Sequence, residues 1–134
     1  GALGKQLYVK VSNLMQSKNL PIVSQDTKVK DAILRISEGR LGTVLVVDED
    51  NKLVALVSDG DIRRALLRDD FSLEENVLKY ATLNPMTCED EDMLASEALV
   101  LIEEKKIQLL VITDKQKNIK GVLHIHTLIE KGIS

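Results

Sequence analysis

The residues best suited to chemistry form one run, Ser58-Asp59-Gly60-Asp61-Ile62-Arg63-Arg64. The run follows an apolar stretch and precedes a predicted helix, so it lies where a strand ends and a helix begins. The free N–H groups and the dipole of a helix N-terminus attract anions. At such a junction the Ser58 hydroxyl can bond a phosphate oxygen, and Asp61 can accept two hydrogen bonds from a ribose diol. Arg63 or Arg64 can balance phosphate charge.

The same residues also fit a purely structural role. Asp59 or Asp61 can cap the helix by accepting hydrogen bonds from its first N–H groups. Arg63 and Arg64 would then lie in solvent on the outer face of the helix. The spacing of the residues leaves both interpretations open.

A second pair of candidates is His124 and His126. In a strand, residues i and i+2 share a face, so both rings can meet one ligand or a metal ion. Only two metal ligands are visible, and we therefore predict no metal site and no cofactor. Two alternatives remain: one histidine hydrogen-bonds the backbone where the strand ends, or the rings contact an anionic ligand.

The elements that must position these residues repeat at a constant offset of 66 residues. Residues 43–47 align with 109–113, and residues 53–58 align with 119–124. Few paired residues are identical, so what repeats is the apolar pattern. We expect two like units related by a pseudo-two-fold axis, forming one compact α/β (α+β) module with a ligand cleft between them.

Each unit is predicted to contain a strand, a helix, two strands and a second helix. Val29, Ile33 and Ile36 recur at spacings of four and three, which indicates the first helix. The apolar runs are continuous, as is typical of strands covered on both faces. The second helix is predicted over residues 61–68 and, in the second unit, over residues 127–131.

Composition argues against several classes of function. The 134 residues carry a net charge of −3 and are 44% hydrophobic but only 2% aromatic. The chain therefore lacks the basic field and the exposed rings of nucleic-acid-binding proteins. The single Cys88 cannot form an internal disulfide and no long apolar run is present, so we expect a cytoplasmic protein without a membrane partner. No nucleophile has a base at usable spacing, so we expect no catalytic residue in this chain.

Residues 56–61, Leu-Val-Ser-Asp-Gly-Asp, resemble the end of a cystathionine β-synthase (CBS) domain. In that family the third strand closes with a small or apolar residue, Ser or Thr, two further residues and then Asp. The resemblance implies that Ser58 meets phosphate or ribose and that Asp61 holds the ribose hydroxyls. It also implies two tandem β-α-β-β-α motifs, at residues 11–70 and 71–134.

The second copy departs from this pattern. His124 stands in the place of Ser58, and Thr127 stands in the place of Asp61, where an acidic residue is expected. We therefore expect two inequivalent half-sites and one ligand per chain. The predicted ligand-binding set is Ser58, Asp59, Asp61, Arg63, Arg64, Ile22, Val23, Thr43, His124 and His126.

A closer resemblance involves the start of the chain. Gly1-Ala2-Leu3-Gly4-Lys5-Gln6-Leu7 followed by Val11-Ser12-Asn13-Leu14-Met15 is similar to the segment that joins a sugar-isomerase (SIS) domain to a CBS pair in bacterial D-arabinose 5-phosphate isomerases. Residues 58–64 and 121–126 are similar to that family as well. The resemblance implies an upstream catalytic domain, with residues 1–10 as a linker to it.

The same resemblance implies a role and partners. The parent enzyme would interconvert ribulose 5-phosphate and arabinose 5-phosphate in the biosynthesis of Kdo (3-deoxy-D-manno-octulosonate), a sugar of lipopolysaccharide. The chain itself would be a regulatory module for a nucleotide or nucleotide-sugar such as CMP-Kdo. Two alternatives are a sensor of adenine nucleotides and an oligomerisation scaffold with an empty cleft. CBS helices would join copies of the chain into a homodimer or tetramer.

Overall fold

A computed structural model describes residues 8–134, so most of the predicted linker, residues 1–10, lies outside the described residues. The fold is mixed α+β, as predicted, and consists of two compact units. One unit is Asn19–Pro85, and the other joins the described residues up to Lys18 to Met86–Ser134. The predicted motif boundaries, 11–70 and 71–134, follow the order of the repeat along the chain and stay a prediction.

The strands and helices follow the predicted order in both repeats. In the first part of the chain the elements are α1 (Val11–Leu14), β1 (Ile22–Ser24), α2 (Val29–Gly39), β2 (Thr43–Val47), β3 (Leu53–Ser58) and α3 (Asp59–Leu66). The elements that follow are a 3-10 helix (Val77–Lys79), β4 (Thr82–Leu83), β5 (Thr87–Cys88), α4 (Ala95–Lys105), β6 (Leu109–Thr113), β7 (Ile119–His124) and α5 (Ile125–Glu130).

The unit Asn19–Pro85 is built on a four-stranded sheet of order β1-β2-β3-β4. β1 runs parallel to β2, and β2 pairs antiparallel with β3. β4 is antiparallel to β3. Helix α2 connects the parallel strands β1 and β2, since a parallel pair needs a crossover connection.

The other unit has the corresponding sheet of order β5-β6-β7. β5 is parallel to β6, and β6 is antiparallel to β7. An isolated bridge joins Gln16 to Val122 on β7. This bridge takes the place that β4 has beside β3, because Gln16 and Thr82 are separated by the repeat offset of 66 residues.

The opening segment of each repeat packs on the sheet of the other repeat. The Val11 N–H donates to the Met93 carbonyl at 2.8 Å, and 66 residues later the Val77 N–H donates to the Thr27 carbonyl at 2.8 Å. Both valines are buried in the core of the unit they join. We call residues 8–18 and 76–84 the exchanged segments.

Each unit has its own aliphatic core. The buried side chains of the Asn19–Pro85 unit include Ala32, Val44, Val46, Ala55, Val57 and Val77. Those of the other unit include Val11, Ile102, Leu110, Ile112, Leu123 and Leu128. Among residues 8–134, no helix combines the length and the apolar character needed to cross a membrane.

Candidate ligand-binding site

The junction between β3 and α3 is closed by a reciprocal pair of hydrogen bonds. The Ser58 Oγ accepts from the Asp61 N–H at 3.1 Å, and the Asp61 Oδ2 accepts from the Ser58 N–H at 3.0 Å. This is a capping box, in which two side chains satisfy backbone donors that the helix itself leaves unpaired. The residue that caps the first turn of α3 is thus Ser58, and Asp61 takes part in the cap by accepting from the Ser58 N–H and not from the helix itself. Capping fixes the carboxylate in place and does not by itself remove it from contact with a ligand.

The Asp61 carboxylate is further held by two side chains. Arg64 Nη2 donates to Asp61 Oδ1 at 2.7 Å, and Thr82 Oγ1 lies 3.3 Å from both carboxylate oxygens. The Asp61 side chain is only 9% exposed, whereas that of Arg64 is 72% exposed. A nearly buried carboxylate therefore faces a cation that is open to solvent.

Asp59 and Arg63 are both exposed on α3, Asp59 in its first turn and Arg63 in its last. The Asp59 N–H donates to the Gly42 carbonyl at 2.9 Å. Gly42 has a φ of +68°, and a Cβ there would lie 3.1 Å from Asp59 Oδ2. Glycine suits this position, since the left-handed backbone and the close carboxylate both disfavour a side chain. The contact fixes the start of β2 against the start of α3.

Three further predicted residues lie on the strands beside this junction. Thr43 is directly opposite Ser58 in the β2–β3 pairing, and its side chain is buried. On β1, Ile22 is exposed and Val23 is half-buried. The sheet therefore places Thr43 beside the junction, while the two β1 residues lie one strand further away.

The two histidines of the second repeat do not lie in one strand as the sequence predicted. β7 ends at His124 and α5 begins at Ile125, so the prediction that both histidines lie in one strand is wrong for His126. His124 Nδ1 accepts from the His126 N–H at 3.1 Å, and the two ring centroids are 4.6 Å apart. His124 thus hydrogen-bonds the backbone where the strand ends, as the first of the two alternatives from the sequence stated. Burial, and then the neighbouring His126, lower the pKa of His124.

The two junctions are chemically unequal. Thr127 stands in the place of Asp61, so the second junction has no carboxylate at that position. Among residues 8–134, no group of three or more His, Cys, Asp or Glu side chains has a geometry that could hold a metal ion. The carboxylate to which the sequence analysis assigned ribose binding is therefore present at the first junction and absent at the second.

The structure adds residues that sequence reasoning missed. A surface pocket of about 160 Å³ adjoins Asp61 and Arg64 and is also lined by Arg68, Lys79 and Tyr80, with two alanines. Thr82 and Tyr80 come from an exchanged segment, so nothing in the local pattern around Ser58 indicates them. The repeat offset places Thr82 in correspondence with Gln16 but does not indicate which sheet either residue joins.

The sequence matches the family model described as the CBS domain over residues 11–68 and again over residues 78–133. A protein of Helicobacter pylori strain J99 that is described only as uncharacterized is 48% identical over 133 residues, covering 99% of this chain and 40% of that protein. The arabinose 5-phosphate isomerase KdsD of Francisella tularensis is 37% identical over 131 residues, covering 97% of this chain and 39% of that enzyme. The chain thus spans about two-fifths of the length of these relatives.

Solved structures show the same fold. CBSX2, a protein of Arabidopsis thaliana, has been solved in complex with AMP. Its structure has a TM-score of 0.81 to this chain at 23% identity, and the match covers 92% of this chain and 96% of that one. At this level of identity the likeness concerns the fold alone.

Proposed function

The chain belongs to the CBS domain family, and from that premise we propose that it is a regulatory module that binds a nucleotide or a nucleotide-sugar. The observation that carries this proposal is the nearly buried Asp61 carboxylate, fixed beside Ser58 at the end of β3. Such a carboxylate accepts hydrogen bonds from a diol without first having to be ordered, which lowers the cost of binding.

The residues around the junction would divide the ligand between them. Asp61 would accept hydrogen bonds from the ribose hydroxyls, and the Ser58 hydroxyl would contact phosphate or ribose. Arg64 is 72% exposed and holds Asp61 Oδ1 at 2.7 Å, so it can turn towards a phosphate when the diol takes its place. A guanidinium pairs well with phosphate oxygens because its N–H groups form a planar fork. Ile22, Val23, Thr43, Asp59 and Arg63 complete the proposed binding set of this unit, and ligand contact by His124 and His126 at the second junction stays a prediction.

The names of the relatives suggest which pathway the module serves. KdsD of Francisella tularensis, described as an arabinose 5-phosphate isomerase, matches this chain over less than half of its own length. We propose that the complete protein interconverts D-ribulose 5-phosphate and D-arabinose 5-phosphate in the cytoplasm through a separate domain. The preferred ligand is then CMP-Kdo, the activated sugar of that pathway, which offers a ribose to Asp61 and a phosphate to Ser58 and Arg64.

An adenine nucleotide is the alternative ligand. CBSX2 binds AMP and shares the fold. The ribose hydroxyls of AMP would donate to Asp61, and its phosphate would contact Ser58, as in CMP-Kdo. The two ligands differ in the base and in the sugar acid. A binding measurement with both ligand classes is therefore needed to distinguish them.

A second candidate function is assembly alone. The observation that favours it is that both Asp61 oxygens already accept hydrogen bonds from protein groups. A scaffold would use Asp61 only to cap α3. Its assembly state would be indifferent to nucleotides.

The test is a thermal-shift panel with CMP-Kdo, CMP, AMP, ATP and S-adenosylmethionine. A ligand at a hundred times its Kd adds about 2.7 kcal/mol to the stability. For a chain of this size we expect Tm to rise by roughly 10 °C. A rise with cytidine ligands supports the CMP-Kdo assignment, and a rise with adenine ligands alone supports the alternative.

Two variants make the test specific to the site. Asp61→Asn should abolish the rise, because the amide replaces one of the two acceptor oxygens by an NH2 donor and removes the negative charge. Asp50→Asn removes the same charge from the exposed β2–β3 turn of the same unit and should leave the rise unchanged. No rise with any nucleotide, in wild type and variants alike, would contradict ligand binding and favour the scaffold.

A further inference from the structure

The pocket beside Asp61 is too small to hold a whole nucleotide. Its volume is about 160 Å³, whereas sites for drug-sized ligands measure about 300–1,000 Å³. Asp61 belongs both to this pocket and to the capping box at the junction, and Arg64, which also lines the pocket, donates to Asp61 Oδ1 at 2.7 Å. The pocket is therefore continuous with the proposed ribose site and has room for one additional group of the ligand.

The wall of the pocket is rich in positive charge. It contains three cations, Arg64, Arg68 and Lys79, and one carboxylate, Asp61. Arg68 donates from Nε and Nη2 to the two oxygens of Asp70 at 3.0 and 3.1 Å. Asp70 pairs with Arg68 and Lys79 but is not part of the pocket wall. Lys79 also pairs with Glu75 at 3.4 Å, and Glu75 likewise is not part of the pocket wall. Among the residues that line the pocket, three cations therefore stand against one carboxylate.

Tyr80 holds two of these cations, Arg68 and Lys79, in place. Its buried ring lies 5.3 Å from the Arg68 guanidinium carbon and 5.8 Å from the Lys79 nitrogen, within the range of cation–π attraction. The Tyr80 hydroxyl accepts from the Ser72 N–H at 3.1 Å and donates to the Asp70 carbonyl at 3.3 Å. A ring fixed in this way keeps both cations at the pocket before any ligand arrives.

The charge state of the pocket suits binding near neutral pH. Hydrogen bonds from Lys79 and then Arg68 lower the pKa of Asp70. The hydrogen bond to Asp70 raises the pKa of Lys79. Lys79 therefore stays protonated, and the ionised Asp70 competes with any bound anion for Lys79 and Arg68.

We propose that Arg68 and Lys79, positioned on the ring of Tyr80, bind a second oxyanion of the ligand whose ribose is held by Asp61. This inference rests on the proposed function. The oxyanion is either the carboxylate of a nucleotide-linked sugar acid or the terminal phosphate of a nucleoside polyphosphate. Both present the same chemistry, a pair of negatively charged oxygens within reach of two fixed cations.

The experiment compares ligands with and without the second oxyanion by isothermal titration calorimetry. The pairs are CMP-Kdo against CMP and ATP against AMP, measured on wild type, Arg68→Gln and Lys79→Gln. Each variant should weaken the binding of the longer ligand by about tenfold, the effect typical of one hydrogen bond between charged groups. The affinity of the shorter ligand should stay unchanged. The pair that shows this difference identifies the source of the oxyanion.

Asp70→Asn is expected to change the affinity for the longer ligand in the opposite direction. It removes the carboxylate that competes for Arg68 and Lys79, so the longer ligand should bind more tightly than to wild type. Lys115→Gln, which makes the same charge change as Lys79→Gln but in the exposed β6–β7 turn, is the matched control for the two cation variants and should have no effect. The Tm of each variant without ligand shows whether it is folded.

The outcomes separate the two proposals. In one outcome, Asp61→Asn abolishes binding, but Arg68→Gln and Lys79→Gln leave the affinities for the shorter and the longer ligand unchanged or lower both equally. The proposed oxyanion pocket is then wrong, while the proposed nucleotide site stands. If no nucleotide binds wild type, both proposals are wrong. An affinity for the longer ligand that falls in Asp70→Asn would also overturn the oxyanion pocket.

Discussion

Ser58 and His124 occupy corresponding places in the two repeats and cap their helices with different atoms. Ser58 accepts through a hydroxyl oxygen, which carries no charge at any physiological pH. His124 accepts through the lone pair of Nδ1, which is lost when the ring is protonated. One cap is therefore insensitive to pH and the other is not.

The cap at His124 should weaken in mild acid. Because the pKa of His124 is lowered from its ordinary value of 6.5 by burial and by His126, the unfolded chain takes up a proton at higher pH than the folded chain. The contribution of His124 to the free energy of unfolding is therefore complete at a pH above 6.5, the pKa of the unfolded chain. It is lost as the pH falls through the lower pKa of the folded chain. We expect wild type to lose more Tm between pH 7.5 and pH 5.5 than His124→Ser, which caps without titrating.

His126→Gln is the control for this measurement. It removes the neighbouring ring but keeps the backbone N–H that His124 accepts from. Most of the pH dependence should therefore remain in this variant. Identical pH profiles for wild type and His124→Ser, followed by circular dichroism, would contradict the assignment.

At the scale of single residues, the sequence placed Ser58 and Asp61 together at the start of a helix, but their reciprocal hydrogen bonds were not predicted. These bonds join residues three apart, so the local pattern of a capping box contains them. Thr82 also touches Asp61 but is 21 residues away in sequence and arrives on an exchanged segment. No local pattern encodes such a contact.

The pairing of β7 with the first exchanged segment depends on a position without a side chain. A Cβ on Gly121 would lie 2.8 Å from the Gln16 carbonyl oxygen and 2.9 Å from the Met15 sulfur. The backbone groups of Gln16 and Val122 hydrogen-bond each other at 2.8 and 2.9 Å, so the carbonyl cannot retreat without loss of the pairing. Gly121 therefore allows the close approach of the two segments.

Gly121→Ala should destabilise the protein by about 1–3 kcal/mol, because the added methyl forces backbone shifts in a packed region. The expected fall in Tm, measured by differential scanning calorimetry, is about 5 °C or more. Gly60→Ala adds the same methyl where the nearest atom, at 3.3 Å, is the tip of the Arg64 side chain. It should be tolerated, and an equal loss of stability in both variants would contradict the argument.

At the scale of elements, the sequence predicted the repeated strand and helix order and the bounds of the β2–β3 and β6–β7 pairs. It did not predict where the helices after β3 and β7 begin, nor the presence of α1, the 3-10 helix and β4. Periodicity placed the helix after β3 at residues 61–68, whereas α3 is Asp59–Leu66. Periodicity locates the apolar face of a helix, while its first residue is set by the cap. The cap at Ser58 starts α3 directly after the strand, and His124 does the same for α5.

At the scale of the whole molecule, several large apolar side chains are exposed on the helices. Leu34 on α2 is 62% exposed, Leu66 on α3 is 57% exposed, and the adjacent Leu67 is 87% exposed. Exposed apolar groups favour association when they are covered by a second molecule. This supports the proposed homodimer or tetramer through the CBS helices.

We expect the chain to have a mass in solution above that of its 14.9 kDa monomer. Leu34→Glu should shift it towards the monomer, since a buried unpaired carboxylate is costly and glutamate keeps the helix intact. Leu83→Glu is the matched control, because Leu83 is 58% exposed but lies on β4 and not on a helix. Analytical ultracentrifugation in which neither substitution changes the mass would contradict association through α2.

The exchange of segments between repeats could not be predicted from the sequence. The two repeats share one apolar pattern, so residues 8–18 satisfy the same requirements beside either sheet. A pattern that is the same in both copies cannot show which copy a segment joins. Packing decides this, through close contacts such as that of Gly121 with Gln16.

The exchange also fixes the order in which the chain can fold during synthesis. The Asn19–Pro85 unit contains only consecutive residues, so it can close as soon as Pro85 has left the ribosome. The first exchanged segment, although made earlier, has no partner strand until β7 has been translated. The earliest residues of the described chain are therefore among the last to be protected, and a nascent chain halted between the repeats would expose Val11 to chaperones and proteases.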